Sequence, residues 1–376
     1  MDKVKKVVGY VHKGYNEKRN SFGLETDDFR FDRQQVDVFK FLDYLYFKTS
    51  NRTSSTLHNF HLNFGKCDLF HFFNGVSLGS KPWVTTFETS LPRVGANSSY
   101  MRLGVDRLND SSCKQLIALS QNAYEIQSNY LEGNFPHLKQ KILGKTTVLH
   151  PPQDLIINSY SEKKLETALT FTLIGADFFR KGGMETLEVF DYLLSKKYNI
   201  KLNIVSSMQY GDYATKTNKQ DQEKALKLIA KHSQNINHYN SLPNTEVIKL
   251  LVNSHVGLLP TYADTYGYSV LESQACGCPV ISTNIRALPE INNNEIGYQI
   301  NVPKTENGGG NIFSVQDRAS FSSTLREHLQ EIITGIVNNP DKIREKGIRS
   351  LKYIKENHSP LKHAEIRNEI YLNALV

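Results

Sequence analysis

HVGLLPTYADTYGYSVLESQACGCPVISTNIRALPEI, residues 255–291, holds the pattern that decides the fold. Residues 256–259 form a short apolar run of the kind a buried strand needs, and Pro260 stops it. Residues 261–268 then read as a loop at the carboxyl end of that strand. A helix follows over about 269–276, with Gly277 in C-cap position and Pro279 opening a second strand, 279–283. The spacing Ser269-x-x-Glu272 predicts a capping box worth about 1 kcal/mol, in which Glu272 reaches back to the N-cap amide. Two carboxylates, Asp264 and Glu272, thus bracket the turn Tyr266-Gly267-Tyr268.

The same alternation extends outward in both directions. Upstream, LTFTLIG (169–175), IKLNIVS (200–206), NINHYN (235–240) and HVGLLP (255–260) read as strands, with Leu187, Phe190 and Leu194 at helical spacing between the first two. Asn244 is a candidate N-cap for the helix carrying Val247, Leu250 and Leu251. In the first half, strands are predicted near 5–11, 67–73, 82–87, 116–119 and 145–149. LHPPQDL at 149–155 carries two prolines that continue neither a helix nor a central strand. The expected fold is therefore α/β, with two Rossmann-like doubly wound domains, 1–152 and 153–359, facing a cleft at the carboxyl ends of both sheets. A polar helical tail from about 315 is broken by Pro360, so that a last helix, about 360–376, is expected to turn back over the first domain.

The bulk numbers agree with a globular chain of two or three domains: 376 residues, 39% apolar and 22% charged. No apolar run approaches the roughly 18 residues of a membrane span, and the amino terminus lacks a signal-type apolar segment. A cytoplasmic protein is expected, with its four cysteines as reduced packing residues. The net charge of +7 calls for anionic company. No nucleic-acid module accompanies the lysines and arginines, so nucleic acid is not an expected partner. Weak attachment to the inner face of an acidic membrane is a secondary expectation.

Two further features give the turn a chemistry. A glycine at 267 lets a diphosphate approach the backbone, helix N–H groups hold the anion, and the carboxylates accept hydrogen bonds from sugar hydroxyls. In LIGADFFRKGGMETLEVF (173–190), Arg180 and Lys181 stand directly before a helix. Cations there oppose the helix dipole by about 0.3–1 kcal/mol each, which an anion among them offsets. A phosphate suits both side chains, Arg as a bidentate donor and Lys as a point charge.

These two segments resemble the nucleotide-sugar half of GT-B glycosyltransferases, specifically the retaining enzymes of glycosyltransferase family 4. The resemblance is carried by Gly175, Lys181-Gly182, Asp264 with Glu272, Gly277-Cys278-Pro279-Val280 and Pro289-Glu290. It covers residues 169–303 well and the first half weakly. It implies that Glu272 binds the donor ribose, that Asp264 sits near the transferred sugar, that Lys181 and Arg180 hold the diphosphate, and that Gly267 and Tyr268 lie against phosphates or sugar. Two positions depart from the family: its first acid is usually Glu, a methylene longer than Asp264, and its arginine after the strand glycine is Ala176 here, a role for which Arg180 is the substitute.

In the first half, Glu88 ends the strand at 82–87 where the family usually has histidine. It is either an acceptor-orienting group or base, or a loop acid in solvent. His12 lies in the loop after the first strand, and Asn74 in the following strand-end loop is a candidate substrate hydrogen-bonding group. Closely spaced aspartates of the type that hold a metal are not found at a strand end, so neither metal nor cofactor is expected, and the cations and helix amides are left to stabilise the leaving diphosphate. The expected function is a retaining hexosyl transfer from a nucleotide-diphospho-sugar, a UDP-sugar by preference, to a glycan or lipid-linked glycan in cell-surface polysaccharide synthesis. The rival is a non-catalytic nucleotide-sugar-binding partner, prompted by Asp264, Ala176 and Glu88.

Overall fold

The computed structural model describes residues 4–11, 14–21, 24–34, 37–52, 54–94 and 98–376. The chain divides into two units, Met1–Pro152 with His358–Val376, and Gln153–Asn357.

Among the described residues the first unit has eight strands: β1 (Lys6–Tyr10), β2 (Phe29–Arg33), β3 (Phe60–His61), β4 (Leu69–Phe73), β5 (Val76–Ser77), β6 (Trp83–Phe87), β7 (Cys113–Ala118) and β8 (Thr146–Val148). Six of them form a parallel sheet in the order β2-β1-β4-β6-β7-β8, and β3 pairs with β5 beside it. The sequences LFHFF of β4 and WVTTF of β6 are buried at every position, as central strands covered on both faces require. They pair with Phe70 opposite Trp83 and Phe73 opposite Thr86. On one face, Phe70, Phe72, Trp83 and Phe87 join Leu116, Leu131 and Ile142 in a single apolar cluster.

The other face is closed by the last helix, Pro360–Ala374, which Ser359 caps and whose Tyr371 and Ala374 pack on Val8, Phe29, Leu69 and Val84. A polar relay pins it there. Thr86 donates to His71 Nε2 (2.8 Å), His71 Nδ1 donates to the Tyr371 hydroxyl (2.6 Å), and that hydroxyl donates to the Ser21 carbonyl (3.0 Å). Each ring nitrogen then has one role, so the imidazole is neutral, and full burial holds its pKa well below the ordinary value. Arg367, also buried, lies over the Phe31 ring at 5.0 Å.

The second unit has β9 (Leu169–Ile174), β10 (Ile200–Val205), β11 (Ile236–Tyr239), β12 (Val256–Leu259), β13 (Val280–Thr283) and β14 (Tyr298–Ile300). They form a second parallel sheet in the order β11-β10-β9-β12-β13-β14. The chain leaves β9 for β10 on one side and returns to β12 on the other. The strand order therefore reverses between β9 and β12, where open parallel sheets place ligands beyond the carboxyl ends of their strands.

Local details differ from the sequence expectations in three places. The helix after β12 spans Tyr268–Ala275 and starts from Gly267, which has φ of 94° and offers no side-chain cap. Ser269 is therefore inside the helix, its carbonyl accepting from Ser273 Oγ at 2.8 Å, and the capping box does not form. Glu272, the fifth helical residue, lies beyond the first turn. The cause is steric. A Cβ at position 267 would stand 2.5 Å from Leu288 Cδ2, so only glycine makes this turn and it takes the cap position. Likewise Asn244 is the first helical residue and Pro243 the N-cap, with no side-chain hydrogen bond. Strand β7 starts at Cys113, earlier than the predicted 116. Gly277, with φ of 69°, follows the C-cap Cys276.

Candidate donor site at the strand-order reversal of the second sheet

The loops after β9 and β12 are stitched together by their backbones. Tyr262 N–H and Thr261 Oγ1 both donate to the Arg180 carbonyl, at 2.8 and 3.0 Å. Gly182 has φ of 74°, and a Cβ there would stand 2.0 Å from the Pro260 carbonyl oxygen. This approach leaves room for glycine only, which explains Gly182 after the two cations.

Gly175 does a similar service one step earlier. A Cβ on it would meet Lys181 Cγ at 2.9 Å, so the bare backbone at the end of β9 lets the lysine stem cross. Lys181 Nζ thereby donates to Asp264 Oδ2, in an ion pair whose side chains are only 12% and 13% exposed. Arg180 is held differently. Its Nε donates to Asp177 Oδ2 at 2.7 Å and its Nη1 to the Ala263 carbonyl at 2.6 Å, while its guanidinium lies 5.8 Å from the Tyr213 ring centre.

Two helices begin at this edge without a side-chain cap, Gly183–Ser195 behind Gly182 and Tyr268–Ala275 behind Gly267. Such N-termini carry the positive end of the helix dipole, while Gly183 N–H already donates to the Phe178 carbonyl (3.0 Å) and Val270 N–H to the Gly267 carbonyl (2.9 Å). Tyr266 is fully buried, with its ring 5.3 Å from that of Tyr268, so the first tyrosine packs and the second flanks the helix start. Glu272 is half-buried on the same helix.

Behind the ion pair lies a group that sequence reasoning missed. Glu185 is buried in the helix after Gly182 and accepts through Oε1 from the Tyr262 hydroxyl (2.5 Å) and from Ser322 Oγ (2.7 Å). Burial raises its pKa, and the two hydrogen bonds oppose the rise. Its Oε2 has no partner among the described residues, which suits a carboxyl group that keeps its proton. Tyr262 is two residues from Asp264, so Glu185 ties the Asp264 loop to its own helix and to the helix Val315–Asn338. No motif spacing announces this contact, because Glu185 reads as an ordinary first-turn acid. Arg286, half-buried with φ of 49° and donating to the Asn307 carbonyl at 3.2 Å, is a second cation near Tyr213 that went unnoticed.

The first-unit residues form their own constellation. Asn74, with φ of 58°, and Glu88 follow the adjacent strands β4 and β6. Glu88 N–H donates to Asn74 Oδ1 (3.1 Å), Asn74 Nδ2 donates to Glu88 Oε2 (3.2 Å), and Arg93 donates to the same oxygen (3.3 Å). Glu88 is thus a tethered, largely buried acid, lining a recess of about 400 Å³ together with Asn16, Glu17, Phe73, Asn74 and Arg93. His12 lies outside the described residues.

Residues 158–308 match the family model described as Glycosyl transferases group 1. A curated relative, the capsular polysaccharide biosynthesis glycosyltransferase CapM of Staphylococcus aureus, is 30% identical over 125 residues, which is 31% of this chain. The chain spans about 29% of the length of that relative. Among solved structures, a glycosyltransferase from Rickettsia africae aligns with a TM-score of 0.58 at 15% identity, covering 99% of both chains. HepE from Anabaena, solved in complex with UDP, aligns with a TM-score of 0.59 at 13% identity over 97% of this chain and 98% of its own. The fold is of the GT-B type, as the sequence resemblance implied.

Proposed function

Because residues 158–308 match the glycosyl transferases group 1 model, we propose that the protein is a glycosyltransferase that moves a sugar from a nucleotide-diphospho-sugar to a glycan or glycolipid acceptor. The observation that carries this reading is the Lys181–Asp264 pair at the strand-order reversal, flanked by two uncapped helix starts. A diphosphate at that edge meets a cation and two dipole ends at once, and these groups are fixed before it arrives.

In this reading Lys181 and the positive ends of the helices behind Gly182 and Gly267 take the charge that grows on the leaving diphosphate. Arg180 keeps the two loops in register through the Ala263 carbonyl and adds its field. Glu272 accepts from the ribose, and Asp264 faces the transferred sugar. Glu88, held by Asn74 and Arg93, orients an acceptor hydroxyl in the first-unit recess. Transfer with retention, a UDP-sugar as donor, no metal and a role in cell-surface polysaccharide synthesis complete the proposal.

Thermal-shift screening of UDP- and GDP-sugars followed by a donor-hydrolysis assay tests it. Stabilisation by a UDP-sugar with slow hydrolysis is the expected result. Stabilisation without turnover, even with candidate acceptors, favours a binding partner that has lost catalysis, and no response to any nucleotide overturns both.

A further inference from the structure

The helix Val38–Ser50, VFKFLDYLYFKTS, is inverted relative to an ordinary surface helix. Its single acid, Asp43, points inward, where Oδ1 accepts from Ser54 N–H (2.9 Å) and Oδ2 meets His58 Nδ1 (3.2 Å). Phe39 packs inward, its ring 6.5 Å from that of Phe60, while the other apolar residues of the helix point outward. Val38, Phe41, Leu42 and Leu45 follow the i, i+3, i+4, i+7 spacing of one helical face, and Phe41 is 60% exposed, Tyr44 54% and Leu45 44%. The inversion is enforced at the start as well. Asp37 caps the helix through Phe39 and Lys40 and is itself locked by His61 at 2.9 Å, so the helix cannot roll its apolar face into the unit.

We propose that this face docks the protein on an anionic lipid bilayer, with the helix lying in the plane of the interface. Thirteen residues rise about 20 Å, too short to span a hydrocarbon core and suited to lying along it. A contiguous apolar face of this kind on a globular unit marks a surface made to be covered. Charge names the cover. The exposed ionic groups of the segment are Lys40, Lys48 and Arg52, with no acid among them, and Lys48 extends over the Tyr44 ring at 5.6 Å. An aromatic and leucine face edged by lysines, with tyrosines at its margins, matches the composition of interfacial helices. A second copy of the chain is disfavoured, since it brings the same lysines together in a molecule of net charge +7.

The inference stands apart from the donor assignment, because vesicle binding needs neither nucleotide nor turnover. Co-sedimentation with phosphatidylglycerol-containing vesicles and with pure phosphatidylcholine vesicles tests it. Binding to the former, weakened by salt, is expected. The paired change Phe41→Ser with Leu45→Ser lowers vesicle affinity about a hundredfold or more, and Lys40→Gln with Lys48→Gln lowers it roughly thirtyfold. The variant Phe41→Trp covers the case in which the serine pair fails to fold: its emission shifts to the blue on vesicles, against the constant signal of the fully buried Trp83. Three results each overturn the proposal. They are no sedimentation of the wild type with anionic vesicles, wild-type sedimentation of a folded serine pair, or a homodimer in solution that the serine pair dissolves while vesicle binding stays unchanged.

Discussion

Lys181 and Asp264, 83 residues apart in the chain, share an ion pair across the two loops where the second sheet reverses its strand order. A diphosphate that engages the Lys181 ammonium competes with Asp264 for it. Asp264→Asn removes the competitor and leaves the lysine free. Nucleotide affinity is therefore expected to hold or rise slightly, while turnover falls about a hundredfold because the carboxylate facing the sugar is gone. Isothermal titration with UDP beside a steady-state assay separates the two effects. A large loss of affinity with unchanged turnover would reverse the roles given to these residues.

Glu272 gives a cleaner substitution than its sequence context suggests. Since no capping box forms, Glu272→Ala does not remove the helix start, which Gly267 provides by backbone conformation. Chemical denaturation is expected to show less change than the roughly 1 kcal/mol a lost cap costs. Nucleotide affinity is expected to drop about tenfold or more, the worth of a hydrogen bond from a ribose hydroxyl to a charged acceptor. Equal nucleotide affinity in the two proteins would remove Glu272 from the donor site.

Gly182→Ala places a methyl against the Pro260 carbonyl in a left-handed backbone conformation. The two loops must part, at a cost of about 3 kcal/mol when overpacking and backbone strain are combined. The same movement carries Lys181 away from Asp264, so nucleotide-induced stabilisation is expected to disappear together with the loss in intrinsic stability. Denaturation with and without UDP reads both quantities. A variant as stable and as responsive as the wild type would show that this contact is not needed.

The second sheet was legible because its central strands are short apolar runs, and β9 and β12 are closed by Gly175 and Pro260. Lys181 and Asp264 were legible one by one from motif spacing. Their contact was not, because pairing residues so far apart depends on which strands are neighbours, and β9 meets β12 only through the sheet order. Strand β2, FRFDR, escaped notice since it is an edge strand with a single buried residue and three charges. The Val38–Ser50 helix escaped for the opposite reason. Its apolar spacing reads as a core-facing helix, and only the burial of Asp43 shows that the face is turned outward. The cap at Gly267 was misassigned because Ser-x-x-Glu is a local signal, whereas the contact with Leu288 that decides the turn comes from the next strand–helix connection.

Glu185 makes the second unit sensitive to pH in a defined direction. Burial raises its pKa above the ordinary 4.5 of a glutamate, so the folded chain holds a proton there that the unfolded chain releases. Its neutral form is fully compatible with the fold at low pH. As pH rises through the ordinary carboxylate range and on to the raised value, stability falls by about 1.4 kcal/mol for each tenfold by which the fold tightens proton binding, and then levels off. Glu185→Gln keeps an oxygen to accept from Tyr262 and Ser322 and cannot ionise. Urea denaturation across the range from about pH 4 to about pH 8 is therefore expected to show the Gln variant gaining on the wild type as pH increases, with the two most alike at the acid end. Because Tyr262 leads directly into the Asp264 loop, nucleotide affinity of the wild type is expected to weaken over the same interval and that of the variant to stay level. A stability difference that does not change with pH would mean that Glu185 is ionised in the fold and that its second oxygen has found a donor.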